Sequence, residues 1–282
     1  MNDPAGHDRD RRDPEPSPVT GRVIFLGTGT SHGVPMIGCS CDTCRSDDPR
    51  DRRLRPSIYL EVPGRARILV DTATDLRQQA LAHGISRLDA ILFTHSHADH
   101  VMGFDETRRF NAAGGGSSMP VFADARTWDD LRRTFHYVFD GKPRQGGGVP
   151  QVEAHAIEPG VPFAVAGVRV VPVPIWHGRA PILGFRFGDF AYLTDCSGIP
   201  EASYPLLAGV ETLVVDALRF RTHPTHFSVD EALEAIARVA PRRAWLTHIC
   251  HDLSHATVDA GLPPGVALAY DGLAVDVRVD VD

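Results

Sequence analysis

The sequence predicts an α/β protein in which two β-sheets pack face to face with helices on the outside. Strand-like segments recur along the chain, and segments of helical spacing separate some of them. With 282 residues, 43% of them hydrophobic, the chain is long enough to bury one sizeable core. Several predicted strands end on a histidine or an aspartate, which indicates a functional edge.

The strands are predicted from runs of apolar, aromatic and β-branched residues. In chain order they are residues 22–26, 57–62, 67–71, 90–94, 168–172, 185–187, 190–194, 212–215, 243–247 and 267–277.

Three helices are predicted from spacing and end signals. Residues 76–83 precede Gly84, a typical helix stop. A stripe of large apolar residues at helical spacing, from Trp128 to Val138, follows Thr127. Ser228 and Glu231 form a capping box that opens a helix through residue 240.

Two segments are expected to lie outside this core. Residues 1–18 mix Asp, Arg and Pro with almost nothing apolar, which predicts a disordered tail before a single folded domain at 19–282. Residues 114–162 begin with one glycine run and contain another, at 146–148. We expect them to form a variable insert near the mouth of the functional site.

Three histidines and one aspartate follow a predicted strand within six positions. They are His95, His97, Asp99 and His100, directly after the apolar run 90–93. Imidazole is the commonest protein ligand for zinc and also suits manganese or iron, while a carboxylate adds a harder, charged donor. A tight loop cannot wrap all four groups around one tetrahedral centre. The spacing therefore predicts two adjacent ions, which suits the hydrolysis of phosphate esters.

Three later segments also end on residues that can bind a metal. His177 ends an extended, proline-interrupted segment, Asp195 ends a strand, and His248 ends another. Seven such groups around two ions leave room for a bridging water. A metal lowers the pKa of that water toward neutrality, so hydroxide would be the nucleophile.

These segments resemble the metallo-β-lactamase fold superfamily over residues 21–277, and the HxHxDH element is the most specific part of the likeness. The resemblance implies an αββα sandwich with two metal positions bridged by Asp195. One set of ligands would be His95, His97 and His177, and the other would be Asp99, His100 and His248. It also implies that Asp71 supports the metal-binding histidines through hydrogen bonds.

The amino-terminal half contains Cys39, Cys41 and Cys44 in CxCxxC spacing. Three thiolates and one imidazole can close a tetrahedral structural zinc site. The trio, together with His251 three residues past His248, resembles the phosphoribosyl 1,2-cyclic phosphate phosphodiesterases of bacterial phosphonate use. That resemblance implies a zinc held by these four residues, apart from the reaction centre.

His226 lies in a loop before the last predicted helix and corresponds to the candidate general acid of those phosphodiesterases. An imidazole of near-neutral pKa is suited to protonate a leaving oxygen. We therefore count His226 as catalytic, together with Asp99. His223 in the same loop and Arg108, which follows the metal motif, are candidate phosphate contacts.

The predicted function is that of a dinuclear zinc or manganese phosphodiesterase acting on a small cyclic phosphodiester, such as phosphoribosyl 1,2-cyclic phosphate. Two alternatives stay open. Transfer-RNA 3′-processing nucleases share the metal motifs, but they rely on an RNA-gripping arm with no obvious basic equivalent in residues 114–162. Non-catalytic relatives in pyrroloquinoline quinone biosynthesis carry a cysteine trio, but they lack the full HxHxDH cluster, so the cluster here favours an enzyme.

Composition bounds the partners and the compartment. Lys and Arg number 29 against 36 Asp and Glu, a formal net charge of −7, which disfavours a large nucleic-acid footprint. No apolar run approaches a membrane span, and the amino terminus lacks the apolar core of a signal peptide. Five cysteines, three of them clustered, fit a reducing compartment. We expect a cytoplasmic protein that acts on a small phosphodiester substrate. A homodimer is compatible with these observations.

Overall fold

The computed structural model describes residues 17–142 and 148–281. The strands in these residues are β1 (Ser17–Gly27), β2 (Ser57–Val62), β3 (Ala66–Val70), β4 (Ala90–Leu92), β5 (Met119–Ala123), β6 (Val152–Ala156), β7 (Phe163–Val165), β8 (Val168–His177), β9 (Ala180–Phe187), β10 (Phe190–Leu193), β11 (Thr212–Asp216), β12 (Arg243–Thr247), β13 (Val266–Leu268) and β14 (Ala274–Val281).

The α-helices in the same residues are mostly short. They are α1 (Asp42–Arg45), α2 (Leu76–Ala82), α3 (Ala98–Val101), α4 (Thr107–Ala113), α5 (Ala125–Thr134), α6 (His136–Phe139), α7 (Val229–Val239) and α8 (His255–Asp259). The predicted capping box is present at α7, where Ser228 and Glu231 satisfy each other's backbone N–H groups. None of the helices that the structure describes combines the length and the apolar character needed to cross a lipid bilayer.

The long strand β8 belongs to both halves of the sheet system. One half has the order β8-β14-β1-β2-β3-β4-β5-β6 and the other has the order β8-β9-β10-β11-β12-β13, while β7 pairs with β8. Strands β3 to β6 are parallel, and so are β10 to β13. Parallel strands end at a common edge, so residues that follow them are brought together.

Three hydrophobic clusters define the layers. The central cluster joins the two halves, with Phe25 from β1 and Phe185 from β9 both fully buried. A second cluster packs α7, through Ile236, onto Leu213 of β11. The third packs α5, through Trp128, onto the other half. The order helix, sheet, sheet, helix confirms the predicted αββα sandwich.

Nine of the ten predicted strands each overlap a single strand, but the prediction of one strand over residues 267–277 is wrong. They divide into β13 and β14, and the connecting turn carries Asp271. Its carboxylate accepts hydrogen bonds from Thr28 N, Thr28 Oγ1 and Leu54 N at 2.7–2.9 Å. These bonds fasten the turn to the ends of two other segments, so the chain cannot run straight through it.

Two boundary predictions also differ from the structure. Strand β1 begins at Ser17, because the segment from Ser17 to Ile24 pairs with β14 across the sheet. The predicted tail therefore ends earlier, and the rest of it lies outside the described residues. The segment 114–162 holds two strands that were not predicted, β5 and the edge strand β6, besides α5 and α6 in the region of the predicted helix. The glycine run at 146–148 lies outside the described residues except for Gly148.

Candidate metal centre

The residues that follow β3, β10 and β12 have an unusual backbone. Asp71, Asp195 and His248 have φ values of 64°, 55° and 57°. Side chains other than glycine rarely adopt this conformation, which costs on the order of 1–3 kcal/mol and concentrates at functional sites. Two other such residues, Ala166 and Ala240, lie elsewhere, but these three each present an acidic or imidazole side chain at a strand end of the predicted site.

The structure brings four of the predicted ligands together in a first group. One possible ligand atom from each of four residues lies within 4.8 Å of the others, and the residues are His95, His97, His177 and Asp195. Three of them are buried and His97 is exposed. The group is therefore open to solvent on one side.

A second group shares Asp195 with the first. One possible ligand atom from each of Asp99, His100, Asp195 and His248 lies within 4.8 Å of the others, and all four residues are buried. The Asp195 carboxylate places Oδ2 3.0 Å from His100 Nε2 and Oδ1 3.3 Å from His248 Nε2. These are the two sets that the resemblance implies, with the same shared residue.

Three buried histidines in these groups have an Nε2 atom without a hydrogen-bond partner among the described residues. They are His95, His100 and His248. Leaving a buried polar atom unpaired is costly, so each such atom calls for a partner. Since all three nitrogens point toward carboxylate oxygens, divalent cations fit between them.

Asp71 holds the ring of His100 as predicted. Its Oδ2 accepts a hydrogen bond from His100 Nδ1 at 2.8 Å, and Thr94 donates to both oxygens of the same carboxylate at 2.8 Å. Asp71 and Thr94 are fully buried. With Nδ1–H donated to Asp71, the neutral form of the His100 ring would present a bare Nε2 to a metal ion.

His177 is oriented by the backbone rather than by a carboxylate. Its Nδ1 lies 2.8 Å from the carbonyl oxygen of Thr225 and 3.0 Å from that of Asp195, so it carries the hydrogen. Burial lowers the pKa of His177 to about 4, which keeps the imidazole neutral at pH 7. A neutral ring with a free Nε2 is the form that binds a metal.

Opposite charges dominate the second group. Burial alone would lower the pKa of His100, but the neighbouring carboxylates, that of Asp195 foremost, raise it well above its ordinary value. Burial alone would raise the pKa of Asp195, but His248 and His100 hold it well below its ordinary range. The same histidines hold the pKa of Asp99 low despite its burial. Both carboxylates are therefore ionised, and so able to bind cations, at neutral pH.

The four residues of the predicted structural zinc site also lie together. His251 Nδ1 is 3.2 Å from the Sγ of Cys39, 3.4 Å from that of Cys41 and 3.7 Å from that of Cys44. No disulfide links any of the five cysteines, all of which lie in described residues. The donor set of three sulfurs and one nitrogen suits zinc. We call these four residues the cysteine cluster.

A buried arginine fixes the loop that carries His251. Arg53 donates to the carbonyl oxygens of Cys250 at 2.8 Å and Leu253 at 2.6 Å, and it pairs with Asp51 at 2.8 Å. Its side chain is fully buried. The loop after His248 is thus held in place independently of any ion.

His226 reaches the same edge from the loop before α7. Its ring stacks on His248 at 4.6 Å between centroids and lies 4.7 Å from His177. Its Nδ1 is 2.7 Å from Oδ2 of Asp216, which ends β11 and is fully buried. The side chain of His226 therefore borders the two groups of candidate metal ligands and has a fixed orientation.

The sequence analysis did not identify Asp216 as a site residue, and it expected Arg108 at the site, where the structure does not place it. Asp216 ends a strand on a carboxylate, the same signal that pointed to Asp195, and it could have been found in that way. Arg108 lies on α4 and pairs with Asp105 at 3.2 Å. It lines neither of the cavities that border His97 or His226, because α4 directs it elsewhere. His223 does lie at the site, with its ring 5.1 Å from that of His226.

Comparison with known families points the same way as the geometry. A model of the β-lactamase superfamily domain matches residues 66–249. The crystal structure of a diphosphatase from the PhnP family is 40% identical, with a TM-score of 0.87, and the match covers 94% of this chain and all of that one.

Two curated relatives carry names that describe other functions. An octanoyltransferase of Porphyromonas gingivalis is 39% identical in an alignment that covers 89% of this chain and 51% of that protein, so the chain spans about half its length. A coenzyme PQQ synthesis protein B of Methylobacterium nodulans is 34% identical in an alignment that covers 69% of this chain and 72% of that protein.

Proposed function

The chain belongs to the β-lactamase superfamily, with the metallo-β-lactamase fold, and from this premise we propose that it is a dinuclear metal-dependent phosphodiesterase. The proposed substrate is a small cyclic phosphodiester such as phosphoribosyl 1,2-cyclic phosphate. The observation that carries the proposal is the pair of four-residue groups sharing Asp195, with three buried ring nitrogens that lack a partner.

In this proposal His95, His97 and His177 would hold one divalent ion, Asp99, His100 and His248 would hold the other, and Asp195 would contribute to both. When bound, the ions would activate water and neutralise the charge that develops on phosphorus oxygens. Zinc and manganese both suit these ligands. Asp71 acts by holding His100 in one orientation, which is the usual task of a carboxylate behind a metal-binding histidine.

Asp216 and His226 supply the proton for the leaving oxygen. Burial raises the pKa of Asp216 well above its ordinary value and lowers that of His226 to about 4. One proton is shared across the 2.7 Å contact between Asp216 Oδ2 and His226 Nδ1. When it lies on Oδ2, Asp216 is protonated and His226 is neutral. When it lies on Nδ1, Asp216 is a carboxylate and His226 is an imidazolium. Both forms leave a proton on His226 Nε2, from which it can be donated.

A second candidate activity is the hydrolysis of a diphosphate bond. The 40% identity to a PhnP-family diphosphatase over its whole length favours it, and the same ligand groups would serve the reaction. The octanoyltransferase is about twice as long as the segment that matches this chain, so acyl transfer is not proposed for this chain.

An assay of the purified protein against a panel of phosphate compounds tests the proposal. The panel should hold a cyclic phosphodiester, a linear phosphodiester, a diphosphate and a precursor transfer RNA, each with added zinc or manganese. We expect metal-dependent turnover of the cyclic compound, lost on chelation and restored by metal. Preferred cleavage of the diphosphate would select the second candidate, preferred cleavage of the RNA would select the nuclease, and no turnover of any compound would favour a non-catalytic metal-binding protein.

We also propose that the cysteine cluster holds a structural zinc. Its sulfur donors come from α1 and the loop before it, and its nitrogen donor comes from the loop after β12, more than 200 residues away in sequence. A zinc that joins two such distant segments lowers the free energy of the folded state relative to the unfolded chain. None of the four residues is among the groups around Asp195, so this zinc would serve the fold.

Replacing Cys41 with serine should therefore remove about one zinc per chain and lower the melting temperature. Residual turnover should remain at low temperature, because the groups around Asp195 are untouched. Elemental analysis and thermal melts measure the two effects. Cys250→Ala is the matched control, since Cys250 lies in the same loop but outside the cluster, and it should keep its zinc. Unchanged zinc in Cys41→Ser would rule the site out.

A further inference from the structure

A groove of about 380 Å³ lies between α2 and α4. Side chains at helical spacing face it from both helices, Leu76 and Ala80 from α2, and Phe110 and Ala113 from α4. None of the described residues that line the groove belongs to the groups around Asp195 or to the cysteine cluster. We call it the helix groove, and the proposed reaction does not account for it.

The lining of the helix groove is mostly apolar. Leu76, Ala80 and Phe110 are buried and form its inner wall. Leu81 lines the same groove with 67% of its surface exposed. A single exposed leucine is ordinary on a protein surface, but a leucine in an apolar concavity indicates a site for an apolar ligand. An alkyl chain in the groove would cover this side chain and remove it from water.

Two exposed arginines, Arg77 and Arg109, also line the groove. Among the residues that the structure describes, no carboxylate forms an ion pair with either of them. The described lining holds one carboxylate, that of Glu106, so two guanidinium groups leave one positive charge in excess. An arginine can cover apolar surface with its aliphatic stem while its guanidinium stays in water. An apolar groove with cationic groups of this kind suits a ligand that has an alkyl chain and an anionic end.

The dimensions of the helix groove favour a small molecule over a protein partner. Each of the two helices has seven residues, which is about 10 Å at 1.5 Å per residue. Stable protein interfaces use about 20–30 residues a side, more than these two helices supply. At roughly 30 Å³ per group, the share of one water molecule in the liquid, an acid of about ten carbon atoms takes up most of the groove.

We propose that the helix groove binds a medium-chain aliphatic carboxylate of about eight to ten carbon atoms. The alkyl chain would lie on Leu76, Leu81 and Phe110, and Arg77 and Arg109 would attract the carboxylate. One excess positive charge matches the single charge of a carboxylate better than the nearly double charge of a phosphate monoester. The site is separate from the proposed phosphodiesterase centre, so the inference stands whether or not a diester is cleaved.

Calorimetry with hexanoate, octanoate and decanoate, each below the concentration at which it forms micelles, tests the proposal. Each methylene that leaves water favours binding by a factor of about four. Because part of the chain stays exposed in an open groove, we expect the dissociation constant to fall about tenfold for each two carbons added. Octylammonium, which has an alkyl chain of the same kind and the opposite charge, should bind about tenfold or more weakly than octanoate.

Two variants assign the binding to the helix groove. Replacing both Arg77 and Arg109 with glutamine should weaken the binding of octanoate about tenfold and should not weaken the binding of octylammonium. Leu81→Gln should weaken the binding of decanoate more than that of hexanoate, because it removes apolar surface from the groove. These side chains are exposed, so the melting temperature should change little. Arg242→Gln, which removes an exposed arginine that lines a different cavity, is the matched control and should bind octanoate as the wild-type protein does.

Three results would overturn the inference: no binding of decanoate, an affinity that does not depend on chain length, or equal affinity of the arginine double variant and the wild-type protein for octanoate. Sedimentation over a range of protein concentrations tests the competing occupant, a second copy of this chain. A dimer that Leu81→Gln dissociates would assign the helix groove to contact between copies and would also overturn the aliphatic ligand.

Discussion

Replacing Asp195 with alanine should abolish hydrolysis and release metal from both groups of ligands. We expect turnover to fall on the order of a thousandfold or more, because the shared carboxylate is the only residue common to the two groups. The released histidines would also lose the charge that raises the pKa of His100 and His248. Metal analysis of the purified variant and rates at saturating metal measure the two effects.

The backbone at Asp195 complicates this variant, since its φ of 55° disfavours alanine more than aspartate or asparagine. Asp195→Asn keeps the shape and tolerates the conformation, so it should retain the melting behaviour of a folded protein while losing activity. Asp129→Ala on the exposed face of α5 is the control for loss of an acidic residue. Full activity with full metal content in both Asp195 variants would disprove the dinuclear model.

Replacing His226 with alanine should lower turnover by on the order of a hundredfold or more on substrates with poor alkoxide leaving groups. The loss should shrink for nitrophenolate, which needs little protonation. Metal content should not change, because His226 is not among the proposed ligands. Rates on both substrate types, with metal analysis of the same samples, check the prediction.

Two controls sharpen this experiment. His136→Ala removes an exposed histidine on α6 and should have no effect. Asp216→Asn should slow the reaction in the presence of His226 but add little in a His226→Ala background, because Asp216 acts through the 2.7 Å contact with that ring. Equal losses on both substrate types, or a loss of metal, would make His226 a positioning residue or a ligand and remove it from the acid role.

The two experiments probe different physical contributions at one site. Asp195 is ionised and common to both groups of candidate ligands, so its loss should act on binding of the ions. His226 and Asp216 stand outside those two groups, so their loss should act on transfer of a proton. Rates and metal content would therefore report on separate residues of the same edge.

Local sequence determined the ligand types and most of the strands that present them. The spacing from His95 to His100 and the strand ends at Asp195 and His248 are visible without a structure, because strand patterns and ligand side chains are local properties. The capping box at Ser228 is a local pattern of the same kind and was predicted correctly. The two strands in the segment 114–162 were not predicted, because the glycine runs drew attention away from the apolar run of β5 and because β6 is an exposed edge strand without an apolar run.

Only the tertiary structure decided which of these residues meet. The pairing of Asp216 with His226 and the position of Arg108 away from the site depend on loops packed from distant parts of the chain. The grouping of the ligands around Asp195 depends in turn on parallel strands from the two halves of the sandwich ending at one edge. Sequence fixes what each strand end offers, whereas long-range packing fixes the distances on which charge, proton transfer and metal binding depend.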